Sequence, residues 1–184
     1  MERLNPRARR DAYGSKLNRG HSPILAIGLP WLTIVLASLT PLLPFIASAP
    51  LMPPFGYLMF LAWRLARPGL LPVWAGIPLG AFDDLFSGQP LGSAIMLWSL
   101  SMLAIEIIEI RFKWRAFWQD WAIAGVMITL YVLAAAPIAR FALTPQHLAV
   151  MAPQIVFSIL LFPVIARLVA RLDRARLSRV RTLN

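Results

Sequence analysis

Two adjacent carboxylates, Asp83 and Asp84, stand in the stretch GIPLGAFDDLFSGQPLG, residues 76–92 of a chain that is otherwise mostly apolar. Neighbouring acids in a low-dielectric setting could serve as an acid and base pair or relay protons, because burial and mutual repulsion alter their protonation. Helical geometry argues against it. Side chains at consecutive helical positions diverge by about 100°, so the pair does not share one proton as an aspartyl dyad does. A two-aspartate membrane protease would also need its carboxylates on different helices. No serine sits in a nucleophile elbow, and no phosphate loop or metal-ligand spacing occurs. Glu106 and Glu109 lack the histidine of a di-iron helix motif. His21 and His147 lie at opposite ends of the apolar region, which leaves no shared zinc site to expect. The residues therefore predict no catalytic group, no metal and no cofactor.

The carboxylates still need a reason to be there. Projected at 100° per residue, Gly69, Pro72, Gly76, Gly80, Asp83 and Ser87 fall in a narrow arc of one helical face, with Asp84 at its edge. Lipid is indifferent to a groove of glycines, whereas a neighbouring helix can lay its backbone against one, so this face is expected to point into a helix bundle. Close packing is one use of such a face; gating or the lining of a ligand cavity is the other.

The elements that must carry this face follow from composition. Of 184 residues, 59% are hydrophobic and 14% charged, with a mean hydropathy of +0.67, far from the balance of a soluble domain. A bilayer core of about 30 Å needs about 20 apolar residues per helix, and the apolar blocks predict six: 24–47, 51–63, a third from 69, 91–110, 114–139 and 148–169. The expected class is all-α, a polytopic bundle of six transmembrane helices over residues 23–170, between a basic tail at 1–22 and another at 171–184. The first block is read as a retained helix, since it is long and followed by further spans. Without cysteine, neither a disulfide framework nor a thiolate metal site can form.

Within these blocks, Pro30, Pro41 and Pro44 are expected to kink the first span or end it early. Trp63 with Arg64 suits a membrane interface at the end of the second. The third offers only residues 69–82 before the aspartates, about 21 Å, too short to cross, so its helix must run on past Asp83 and Asp84. Gly88 then breaks it, and Pro90 fits the first turn of the fourth. That fourth helix carries a second small and polar stripe, Gly92, Ser99 and Glu106. Glu106 and Glu109 are expected to snorkel and pair with Arg111, Lys113 and Arg115. Trp114, Trp118 and Trp121 form an aromatic belt where the fifth span starts, and Pro153 and Pro163 interrupt the sixth.

The net charge of +10 would suggest nucleic acid in a soluble protein, but here the cations sit in tails and short loops, a pattern of topology and lipid. With six spans and a cytoplasmic start, every one of the 18 lysines and arginines except Arg140 falls on a cytoplasmic segment, which meets the positive-inside rule with both termini inside. A re-entrant second and third block would put Arg64 and Arg67 at the outer face, and is disfavoured for that reason. The tails bind anionic lipid or stay disordered; no nucleic acid is expected.

The run Gly76, Gly80, Asp84, Gly88, Leu91 and Gly92, set across the third and fourth of six hydrophobic blocks in a chain of this size, resembles the MreD family of rod shape-determining membrane proteins of bacteria. In that family a glycine-rich helix leads to an aspartate, then a glycine four residues later, then a leucine and glycine opening the next helix. Asp84 takes the position of the family aspartate, and Asp83 is an additional acid. The resemblance implies a non-enzymatic protein of the inner membrane that binds MreC, works with MreB and a peptidoglycan polymerase and transpeptidase, and scaffolds or regulates cell elongation. It further implies a likeness in fold to the substrate-binding subunits of energy-coupling-factor transporters. Gly76, Gly80, Asp83, Asp84, Gly88, Pro90 and Gly92 are then the partner-binding or structural motif, with Ser99 and Glu106 secondary. The long basic tails depart from a minimal member of that family. From the residues alone, a small-solute binding subunit of a membrane transporter is the alternative, with an aspartate meeting a cationic or hydroxylated ligand.

Overall fold

The computed structural model describes residues 23–42, 52–111, 116–139 and 144–176. They form six α-helices and no strand: α1 (Pro23–Ser38), α2 (Phe55–Ala66), α3 (Gly76–Phe86), α4 (Ser93–Arg111), α5 (Phe117–Ile138) and α6 (Pro145–Arg176). Expectations about the N-terminal tail, His21, Pro44, Lys113, Trp114, Arg115, Arg140, Arg179 and Arg181 lie outside the described residues.

Three helices, α4, α5 and α6, are long and apolar enough to cross a membrane. At 1.5 Å per residue they measure about 28, 33 and 48 Å. Their outer faces are greasy, as a lipid-facing surface requires: Met96, Leu100, Leu103, Ile107 and Ile110 recur at helical spacing along α4, and Val156, Leu160, Val164 and Leu168 along α6, all exposed. This is an all-α membrane fold. Thr144 opens α6, its hydroxyl accepting the His147 N–H at 3.3 Å, with Pro145 in the first helical position, where a missing N–H costs nothing. The helix then continues through Pro153 and Pro163 without the expected interruption, and holds to Arg176.

α1 likewise passes through Pro30 and ends at Ser38, short of residue 47. Pro41, in the 3-10 turn Thr40–Leu42, disfavours helical backbone before it and supplies no N–H of its own.

The shortest elements hold the middle of the molecule. α2 has 12 residues, about 18 Å, and every one from Gly56 to Leu65 is buried. A helix apolar all round seeks the interior, and α2 is wrapped by α1, α5 and α6. Phe60 stacks on Trp98 of α4, with ring centroids 4.9 Å apart, and Tyr57 on Tyr131 of α5 at 4.0 Å. The Tyr57 hydroxyl meets Ser101 Oγ at 2.7 Å, and Trp63 Nε1 donates to Thr33 Oγ1 of α1 at 2.9 Å. Trp63 and Arg64, expected at a membrane interface, are 0% and 1% exposed, covered by the neighbouring helices.

α3 runs past both aspartates to Phe86, but its 11 residues measure only about 17 Å, so continuing past the acids does not make it long enough to cross. It starts later than expected, after the 3-10 turn Val73–Ala75, so Gly69, at φ +79°, and Pro72 lie in the preceding turn and drop out of the glycine face.

Candidate functional site

α3 and α4 form an antiparallel hairpin whose closeness is set by two glycines four residues apart. A Cβ on Gly76 would stand 2.9 Å from the Ser99 backbone nitrogen, and one on Gly80 2.7 Å from the Ala94 carbonyl oxygen. Both lie below ordinary contact distance, so the helices meet backbone to backbone, as small residues permit in membranes. The turn joining them needs two left-handed residues, and glycine supplies both: Gly88 at φ +70° and Gly92 at φ +95°. Pro90 belongs to this turn and not to the first turn of α4; its carbonyl accepts the Ser93 N–H at 3.1 Å, and α4 begins at Ser93.

The hairpin brings Asp84 to the start of α4, where the first N–H groups of any helix have no intrahelical acceptor. Asp84 Oδ2 accepts the Gly92 N–H at 2.8 Å and the Ile95 N–H at 3.3 Å. Its Oδ1 accepts the Ala94 N–H at 2.8 Å and the Ser93 hydroxyl at 3.0 Å. With Ser93 N–H on Pro90 and Met96 N–H on Gly92, each N–H from Gly92 to Met96 has an acceptor. Asp84 is thus an N-cap supplied by another helix, its charge placed at the positive end of the α4 dipole. This is what lets a carboxylate that is 4% exposed remain in an apolar bundle.

Asp83, 7% exposed, turns elsewhere, as the 100° offset requires. It faces the end of α1 and the start of α2, where Ser38 is its polar neighbour. A Cβ on Gly56 would lie 2.8 Å from Asp83 Oδ1, so this third glycine lets α2 pass. Beside them opens a cavity of about 230 Å³.

At the opposite end of the bundle the acids have cationic partners. Arg64 Nη1 lies 2.8 Å from Glu109 Oε2, and Nη2 pairs with Glu106. Both glutamates thus reach Arg64 on α2, a partner that residue order did not suggest, because a buried guanidinium needs carboxylates to offset its desolvation. Next to this, Asp173 of α6 receives Arg67 Nε at 2.8 Å and Arg176 Nε at 2.6 Å, and Arg176 lies over the Trp63 ring at 5.7 Å. Burial pushes the Asp173 carboxyl up, but the hydrogen bonds and charges of the two arginines outweigh it and hold the group below the usual carboxylate range.

Of the second stripe, Gly92 donates to Asp84, Ser99 passes beneath Gly76 and Glu106 reaches Arg64, so the three engage three different partners. Sequence reasoning missed Gly56, Ser38, Tyr131 and Gln154 around Asp83, and the pairing of Arg64. The one signal available for Arg64 was a cation within a block that had no polar face. Among the described residues, no group of three or more His, Cys, Asp or Glu is placed to hold a metal ion.

No solved structure matches the chain, so the expected likeness to energy-coupling-factor subunits rests on the resemblance alone. Residues 24–172 match the family model described as rod shape-determining protein MreD; with most of its length and the whole α3–α4 hairpin inside that match, the chain belongs to the MreD family and has a role in rod shape determination.

Proposed function

We propose that this protein is a non-enzymatic scaffold or regulator of the cell-elongation machinery, docking MreC in the inner membrane and supporting lateral peptidoglycan synthesis. MreB and the peptidoglycan polymerase and transpeptidase are further members of the assembly. The observation that carries this reading is the use made of the motif: Gly76 and Gly80 are covered by α4, and Asp84 is engaged by three backbone N–H groups and a hydroxyl. Residues committed in this way build a joint between two helices and are not available for chemistry on a substrate. The partner helix therefore docks on another face. In this reading the end that carries Arg64, Arg67 and Arg176 faces the cytoplasm, both termini lie there, and the basic tails rest on anionic lipid, each cation near the surface adding roughly 1 kcal/mol.

The test is co-purification with MreC from cells that depend on this chain for rod shape. Asp84→Ala and Gly80→Leu, where they fold, are expected to lose MreC and give rounded cells. Folded variants that keep both MreC and rod shape sink the proposal.

A further inference from the structure

We propose that the cavity beside Asp83 is a binding site for a small organic ammonium ion, with the Asp83 carboxylate as its counter-charge. The inference starts from an inventory of buried charge among the described residues. Arg64 has Glu106 and Glu109, Asp173 has Arg67 and Arg176, and Asp84 has the N-terminus of α4. Asp83 is buried as deeply, yet no cation and no backbone N–H reaches it; the group beside it is the Ser38 hydroxyl. Ser38 Oγ, on a residue only 2% exposed, completes no hydrogen bond of ordinary geometry. A carboxylate accepts and cannot donate, so what it lacks is a donor, and in a low-dielectric site preferably a charged one.

The space and its lining fit that requirement. The cavity of about 230 Å³ is bounded by Ser38, Gly56, Asp83, Gln89, Tyr131 and Gln154, with Pro53, Pro54 and Phe55 supplying an apolar side. A second cavity, also about 230 Å³, adjoins it across Pro54, Gln89, Tyr131 and Gln154 and is walled by the small residues Gly88, Ala135, Ala136 and Ala139. At roughly 30 Å³ per water, the first chamber has room for more than a bare ion. It has one carboxylate and no second acid or imidazole of a metal-binding set, whereas an ammonium group needs only one carboxylate and neutral oxygens for its remaining N–H groups. Ser38, Tyr131 and the amide oxygens of Gln89 and Gln154 offer those, and the apolar side accommodates a short alkyl body. Gly56 leaves the two polar groups their room, since a methyl there would press on both Ser38 Oγ and Asp83 Oδ1.

The site stands independently of the scaffold reading, so it is tested on the purified full-length chain in lipid nanodiscs without MreC. Thermal unfolding is followed with ethanolammonium chloride, and with glycerol and sodium chloride at matched ionic strength. The expected result is a saturable rise in midpoint with ethanolammonium only, weakened about tenfold or more in Asp83→Asn and lost in Gly56→Ala. No response in the wild-type chain, an equal response in folded Asp83→Asn, or a saturable response to sodium overturns it. Should the variants not fold, modification of wild-type Asp83 by a hydrophobic carbodiimide decides instead, followed by mass spectrometry as loss of the unmodified Asp83 peptide so that amide formed by the amine on the activated carboxyl is counted as modified: ethanolammonium slows that loss, and an unchanged rate overturns the proposal.

Discussion

The two ends of the bundle bury charge by different means. At one end, side chains from α2, α4 and α6 neutralise each other: Arg64 lies between two glutamates, and Asp173 between two arginines. At the other end the described residues offer no cation to either aspartate. Asp84 is satisfied by backbone N–H groups that would otherwise be orphaned, while Asp83 has a hydroxyl neighbour and a cavity. An ion pair trades one desolvated charge against another and gains little over an apolar replacement of the pair. A carboxylate on a helix N-terminus repairs a deficit that every helix has, so its loss leaves several donors stranded at once. Three buried carboxylates of one chemistry thus have three distinct roles, set by what lies opposite each.

The comparison breaks most sharply at Asp84. Asp84→Ala strands one buried N–H group and two partly buried ones, the buried one at roughly 1–3 kcal/mol and the others at less, and we expect unfolding free energy in detergent to fall by about 3 kcal/mol. Asp84→Asn, which keeps one acceptor oxygen, should lose less than half as much. An equal stability of the aspartate and alanine forms would show that the cap is ornamental.

Arg64→Met comes next. It leaves Glu109 without its guanidinium, but Glu106 is 44% exposed and can hydrate, so the cost is placed at about 2–3 kcal/mol, under the range for a fully buried pair. The sharper measurement adds Glu106→Gln and Glu109→Gln to the same chain. If stranded carboxylates cause the loss, the triple variant recovers part of it; if lost packing causes it, the triple variant does not.

Asp83→Asn should move stability by no more than about 0.5 kcal/mol, or raise it, because the substitution removes a buried charge that has no cation among the described residues. A loss as large as that of Asp84→Ala would erase the distinction between the two aspartates.

The smallest effect is at Asp173. Its carboxyl is held below the usual range in the folded chain, so its contribution is fully present above the unfolded value of about 3.9 and is lost as pH falls through the lower folded value. Arg67 is 51% exposed, which keeps the effect small by solvent screening. Protection factors of amides in the last turns of α6, corrected for intrinsic exchange at each pH, should fall below about pH 4, and Asp173→Asn should remove that acid dependence.

Much of this was legible in residue order, and the misses have a common cause. The apolar blocks, the break at Gly88 and the divergence of the two carboxylates are consequences of hydropathy, turn chemistry and helical period, all local quantities; the spanning length expected of α3 is not met, because it starts only at Gly76. α1 ends early, as its prolines suggested, but which proline acts depends on position: Pro30 is absorbed inside the helix, whereas Pro41 sits in the turn that follows it. Residue order did not show that the block ending in Trp63 and Arg64 is the central helix, which leaves both side chains covered by protein. The glutamates were given the nearest cations in the chain, yet Arg64 precedes Glu109 by 45 residues.

Sequence alone determined that this is an all-helical membrane protein and that GIPLGAFDDLFSGQPLG is a glycine-faced joint with two carboxylates pointing apart, because those properties depend on composition and on neighbours a few positions away. Tertiary structure decided that Asp84 caps α4, that α2 lies at the centre with its arginine paired, and that Asp83 opens on a cavity. Those outcomes depend on which faces meet across contacts distant in the chain, as between Arg67 and Asp173, 106 residues apart, and a buried charge takes its role from whatever that packing sets against it.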